Sequence, residues 1–211
     1  MSRSIFRPYG LIWNILNTIT DILGLSLLWL LFCLPVVTIA PATTALYDAV
    51  VHGIRYKEEG AYRRFLRTFR AEWKTGLLIT LLWGVVLAVL GYLMAVLLTM
   101  AREEERFTVL AGIYFGLMLL PIACAAWSTT ILSRFTFSFS ALTSTAVRFT
   151  FGQLPRSLGI ALATVGLLFF AVHYPIWVFA VPACIALAWS VFTEPVFAKY
   201  GGGLTKQEPE E

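Results

Sequence analysis

A chain of 211 residues that is 59% hydrophobic and only 13% charged, with a mean hydropathy of +0.79, has too few polar groups to cover a water-facing surface. That balance excludes an ordinary soluble domain and makes lipid the solvent for much of the surface. The net charge is +4, and its Lys and Arg residues gather between apolar runs instead of forming a stripe interleaved with stacking aromatics, so nucleic acid is not an expected partner.

Four charge-free stretches, 22–47, 75–101, 107–133 and 157–193, set the expected fold class. It is an all-α membrane protein of about five transmembrane helices with amphipathic cytoplasmic surface helices. A crossing takes about 20 helical residues at about 1.5 Å each, so the first three stretches suit one span apiece. Before the first of them, Asn14, Asn17, Thr18 and Asp21 share one helical face. They either line a polar path or sit at the interface, and the position of Asp21 ahead of the apolar run favours the interface. Ala40-Pro41-Ala42 has the small-residue spacing of a signal-peptide cleavage site. The preceding run exceeds the usual h-region of about 7 to 15 residues, however, and an uncleaved span at about 22–41 is predicted.

The first connection, about 43–73, reads as amphipathic helix. Leu46, Val50, Val51 and Ile54 recur at helical spacing after Pro41, a residue suited to a helix start. Tyr62, Phe65, Leu66, Phe69 and Trp73 repeat the pattern between Arg63, Arg64, Arg67, Arg70 and Lys74. Such a helix lies on an anionic leaflet with its aromatics among the headgroups, or packs its apolar face on the ends of the spans. On the first reading Arg63, Arg64, Arg67, Arg70 and Trp73 are the surface and lipid contacts. Spans at about 76–100 and 108–132 follow. In the connection at about 135–154, Phe135, Phe137 and Phe139 alternate as in a strand, while Phe135, Phe139, Leu142, Ala146 and Phe149 fit a helix. A lone strand at a membrane leaves both edges unpaired, so a helix is predicted.

The 37 residues of 157–193 would make a single helix of roughly 55 Å, nearly twice the hydrocarbon thickness. A break at His173-Tyr174-Pro175 divides it into spans at about 156–173 and 176–197. A disordered cytoplasmic tail is predicted for 199–211, where glycines join Lys, Gln, Pro and Glu. The first connection, the third connection and the tail carry twelve Lys and Arg residues; the other side has Arg3, Arg7, Arg102 and Arg106. The positive-inside rule then places the N-terminus outside and the C-terminus in the cytoplasm.

Candidate chemistry is sparse. Cys33, Cys124 and Cys184 lie in apolar runs without CxxC spacing and read as small hydrophobes, and the two histidines, His52 and His173, are far apart, so neither a disulfide nor a metal site is expected. Glu194, followed by Pro195, can pair with Arg134, Arg148 or Arg156, and together with Asp21 it is the candidate for an ion pair or polar path. Gly112 and Gly116 form a GxxxG pair expected to pack helices within the chain. GxxxxGK[ST], GxSxG, HExxH and paired intramembrane carboxylates are all absent, so no enzyme and no cofactor is expected.

The run Trp29-Leu30-Leu31-Phe32-Cys33-Leu34-Pro35-Val36-Val37-Thr38 leading into Pro41-Ala42-Thr43-Thr44-Ala45-Leu46-Tyr47, with Phe65 to Trp73 after a basic stretch, resembles the YesL family of bacterial membrane proteins over roughly residues 10 to 80. That family has no established biochemical activity and no defined ligand residues. The resemblance implies a multi-pass protein of the bacterial plasma membrane associated with carbohydrate uptake and utilisation, with the lipid bilayer and a sugar ABC transporter or other membrane protein as partners. The segment from Phe135 to Phe151 departs from the family in its sparse charge. An accessory component of sugar uptake is the expected function, and a small solute transporter or channel is the alternative. A continuous polar cavity between the spans would favour the transporter; a dry interior would favour the accessory protein.

Overall fold

The computed structural model describes residues 8–102, 104–135 and 137–200, with side chains from Leu16 to Lys199; Arg3, Arg7, Lys206 and the Asn14 side chain lie outside the described residues, as does the tail expected at 199–211 except for Lys199 and Tyr200, which belong to the last helix. Those residues form seven α-helices and no strand: α1 (Pro8–Phe32), α2 (Ile39–Val50), α3 (Ala61–Met100), α4 (Glu105–Arg134), α5 (Phe139–Gly152), α6 (Leu154–His173) and α7 (Val181–Tyr200). Four of them, α3, α4, α6 and α7, are long and apolar enough to cross a membrane, and Leu16–Phe32 of α1 is a shorter apolar helix. This is the architecture of an integral membrane protein.

Near the N-terminus the chain does something that the hydropathy pattern does not display. The stretch expected as one span at 22–41 is divided. Proline lacks the amide that would continue the helix and disfavours helix in the residue before it, so α1 stops at Phe32, ahead of Leu34-Pro35, and a 3₁₀ turn at Val36–Thr38 leads into α2. A connection this short makes the two helices antiparallel neighbours, tied where the Trp29 indole donates to Thr43 Oγ1 at 3.1 Å. Helix α2 is not a surface helix. It is the centre of the bundle, buried from Ala40 to Val50 except Thr43, and it touches α1, α3, α4 and α7. Lipid supplies no hydrophobic drive between helices, so close approach must come from small residues, here Ala40, Ala42, Ala45 and Ala49. Pro41 sits in the first turn, where its missing amide costs nothing. The free amide of Ala40 is capped from α3 by Thr80 Oγ1 at 2.9 Å.

Helix α3 runs 40 residues without a break, about 60 Å. Its first fourteen residues are the basic amphipathic stretch, which is therefore continuous with a span and not a separate helix lying along a surface. The apolar face of that stretch packs on the chain: Phe65 is fully buried, and the Phe32 ring stands 5.5 Å from Phe65 and 4.7 Å from Phe69. Gly76 fixes α3 on α2, since a Cβ there would lie 2.7 Å from Pro41 Cβ. Gly159 does the same against the Phe192 ring of α7, again at 2.7 Å. By contrast, Gly112 and Gly116 have nothing within 4 Å of where a Cβ would stand, so they pack no helix within the chain. The contact face of α4 is instead the adjacent row containing Ala111, Leu119, Ala123 and Trp127.

Residues 135–138 are extended at Phe135 and Ser138, and α5 begins at Phe139, turning Leu142 and Ala146 inward. Helix α6 ends at His173, Pro175 opens a 3₁₀ turn, and α7 returns antiparallel to α6. Its N-terminal amide at Ala183 is capped by Ser26 Oγ of α1 at 3.1 Å.

Candidate functional site

At one end of the bundle, charged side chains from four elements meet around Glu194. The α2 helix widens there into a π turn at Val51–Arg55, closed by the Tyr56 amide on the Val51 carbonyl at 3.0 Å. A wider turn aims His52 and Arg55 off the surface that a regular helix would give them. Glu194 is 8% exposed and has both oxygens occupied: Oε1 accepts from Arg134 Nη2 at 2.7 Å and from the Tyr47 hydroxyl at 2.9 Å, and Oε2 accepts from the Tyr56 hydroxyl at 2.7 Å. The Tyr47 hydroxyl also lies 2.6 Å from Thr193 Oγ1.

Arg134 carries the network onward. Its Nη1 lies 2.9 Å from His52 Nε2, and since a guanidinium only donates, that nitrogen is the acceptor and the ring is the Nδ1–H tautomer. Nδ1 in turn faces Glu58 Oε2 at 2.9 Å. Glu58 also accepts from Arg64 Nη1 at 3.0 Å, and Arg64 Nε donates to Asp48 Oδ2 at 3.2 Å, which Thr68 Oγ1 reaches at 2.6 Å. Arg55 turns away to donate to the Ser190 carbonyl at 2.8 Å. Hydrogen bonding to Glu194 raises the Tyr56 hydroxyl above the usual phenol range, with burial and the carboxylate charge adding to it. The His52 hydrogen bond lowers the Glu58 carboxyl below its usual range. Glu194, Glu58 and Asp48 each have a basic partner within the cluster, whereas Arg55 meets the neutral Ser190 and the buried Arg134 Nε has no hydrogen-bond partner.

The sequence candidates are thus dispersed. Glu194 is the hub and its partner is Arg134. Asp21 stands elsewhere, 3.5 Å from the Tyr62 hydroxyl, and does not share a path with Glu194. Of the basic face, Arg63, Arg67, Arg70 and Trp73 are exposed, whereas Arg64 points inward into the network. Tyr47, Asp48, His52, Tyr56, Glu58 and Thr68 are the residues that sequence reasoning passed over. The available signal was Asp48, His52 and Arg55 at helical spacing, the same signal that a solvated face gives.

A cavity of about 800 Å³ lies between the helices, bordered by α1, α2, α3, α4, α6, α7 and the 3₁₀ turns. No charged residue lines it, and its polar side chains are seven. Each has already used its donor inside the protein. The Trp29, Trp83 and Trp189 indoles donate to Thr43, Ser128 and Thr164. The hydroxyls of Thr43, Thr80, Thr129 and Thr164 donate to the carbonyls of Ile39, Gly76, Ala126 and Ile160. Whatever enters meets an apolar wall.

A family model described as "Protein of unknown function, DUF624" matches residues 22–96. The match runs from within α1 through α2 into most of α3, so it covers the divided apolar stretch, the buried helix and the π turn. Among curated proteins and among solved structures, nothing matches the chain.

Proposed function

We propose that this protein is an accessory component of carbohydrate uptake in the bacterial plasma membrane, acting by contact with a partner such as a sugar ABC transporter and not by moving or converting a substrate itself. The sugar assignment rests on the resemblance of residues 29–47 and 65–73 to the YesL family. The mode of action rests on one structural observation: the space between the spans has an apolar lining whose few polar groups are satisfied by the protein. A sugar crossing a membrane exchanges water for hydrogen bonds from the walls of its path, and burying its hydroxyls without them costs several kcal/mol. No charged residue lines that space to serve it.

Charge supports the orientation. The basic stretch of α3, Arg134 and the end of α7 converge through the Glu194 network, so the Arg-rich connections share one end, and the positive-inside rule makes that end cytoplasmic. The exposed Arg63, Arg67, Arg70 and Trp73 then face the cytoplasmic side, where they suit an acidic subunit surface or anionic headgroups.

Two measurements test the reading. Deletion is expected to alter sugar uptake only in cells that hold the cognate transporter, and purified protein in liposomes is expected to pass no sugar. Flux through the purified protein, abolished by Asp21→Asn or Glu194→Gln, would replace this reading with the transporter.

A further inference from the structure

We propose that the cavity between the helices holds one acyl chain of a bilayer phospholipid, a role that goes beyond partner contact and stands independently of it. The cavity lies at the depth of the hydrocarbon. Its α3 wall, residues 79–87, falls inside the charge-free stretch 75–101, and its α4, α6 and α7 walls come from the other helices of span length. Its rim is apolar and open sideways: Val36 is 69% exposed, Leu81 60%, Val85 59% and Val172 78%. An opening with such a rim, on a helix bundle of this class, faces lipid tails and not water.

The chemistry of the wall selects the occupant. A volume of about 800 Å³ is within the range of about 300–1,000 Å³ that holds drug-sized molecules, so it does not close by side-chain adjustment alone. Water gains little there, because a buried water needs two to four polar partners and the wall offers it only acceptors on four threonine hydroxyls, every side-chain donor being already used. A free fatty acid lying wholly inside would bury a carboxylate, and the lining holds no Lys or Arg to meet it. A phospholipid keeps its headgroup at the interface and offers only a slender, flexible hydrocarbon to the interior. Being the bulk component of the bilayer, it also meets the sideways opening at the highest concentration.

Gly84 provides the handle. It lines the cavity, and nothing stands within 4 Å of a Cβ added to it, so Gly84→Phe fills the space without displacing the backbone. The experiment places the wild type and this variant in phosphatidylcholine nanodiscs, with a graded fraction of the lipid carrying a diazirine midway along one acyl chain, and maps the adducts after irradiation. Adducts are expected on Ala125, Ala126 and Ile185, saturating as the labelled fraction rises, and these are expected to be lost in Gly84→Phe while adducts on the outward Val109 and Ile113 persist. Labelling of the cavity that rises linearly, in step with Val109 and Ile113, would overturn the proposal. So would cavity labelling by a diazirine fatty acid but not by the phospholipid, or a cross-link from a cysteine at Val85 to a second copy of the chain. The saturation curve of the wild type decides the matter even if Gly84→Phe fails to fold.

Discussion

Glu194 receives three donors on two oxygens, and each donor comes from a different part of the chain: Tyr47 from α2, Tyr56 from the loop after it, Arg134 from the end of α4. Removing one member of a largely buried pair leaves its partners desolvated and unpaired, a loss on the order of 3 kcal/mol. Glu194→Ala is therefore expected to lower the unfolding temperature in detergent well below that of Glu194→Gln, which keeps the shape and one acceptor. Equal melting of Glu194→Ala and wild type would show that the cluster does not stabilise the fold. The Tyr56 hydroxyl gives a second handle. Its ionisation is raised in the fold, so its contribution is complete below the ordinary phenol range and is lost as pH rises through the raised value. In alkaline titration at 295 nm, the difference between wild type and Tyr56→Phe should show one tyrosine that ionises late, and the same difference taken in the Glu194→Gln background should move back toward the ordinary range. Glu194 and its possible Arg134 partner were readable in the sequence as an acid and a cation bracketing apolar runs. Tyr47, Asp48 and His52 were not, because a polar row at helical spacing looks the same whether it meets water or other side chains.

Helix α2 shows how an element can be hidden by its own composition. Its apolar and polar residues fall at the spacing of an amphipathic surface helix, and only tertiary context reveals that four other helices cover it on every side. The long stretch 157–193 was legible in contrast, since length alone forbids one span and the X-Pro break at 174–175 names the place. The two glycine classes give a test at this scale. Gly76→Ala places a methyl 2.9 Å from Pro41 Cα, a backbone atom that cannot yield, and should destabilise the α2–α3 contact by about 1–3 kcal/mol in thermal unfolding. Gly112→Ala meets open space and should be neutral or slightly stabilising through helix propensity. Should the two variants melt alike, α2 is not clamped where the structure has it. The basic stretch divides in the same way. Arg64→Gln breaks ion pairs to Asp48 and Glu58 and should cost stability, whereas Arg63→Gln and Arg70→Gln, on the exposed face, should leave melting unchanged while weakening binding to vesicles that contain phosphatidylserine.

At the scale of the whole molecule, the turn at Pro35 changes the path of the N-terminus. Hydropathy treats 22–47 as one apolar stretch and so as one crossing, which sends Arg3 and Arg7 through the membrane. The structure turns the chain within that stretch. Helix α2 runs toward the basic end, finishing at the π turn beside Arg134, so its antiparallel neighbour α1 runs away from it. Along α1, Asp21 meets Tyr62 and Phe32 meets Phe69 of α3, while Ser26 between them reaches the Ala180 carbonyl and the Ala183 amide at the start of α7. If the pair enters and leaves by one face it forms a re-entrant hairpin, for which the 12-residue buried α2 has a suitable length. With such a hairpin the N-terminus is expected on the basic side, and four crossings by α3, α4, α6 and α7 would return the C-terminus to that side. Arg3 and Arg7 would then count with the other cations and leave Arg102 and Arg106 opposite, a charge distribution that the positive-inside rule favours over one that translocates four. Reporter fusions ahead of Pro8, at Gly60, at Gly152 and after Lys199 should all read cytoplasmic, and one at Glu104 should read external. An external reading ahead of Pro8, with the others unchanged, would make α1 a full crossing and restore the five-span arrangement.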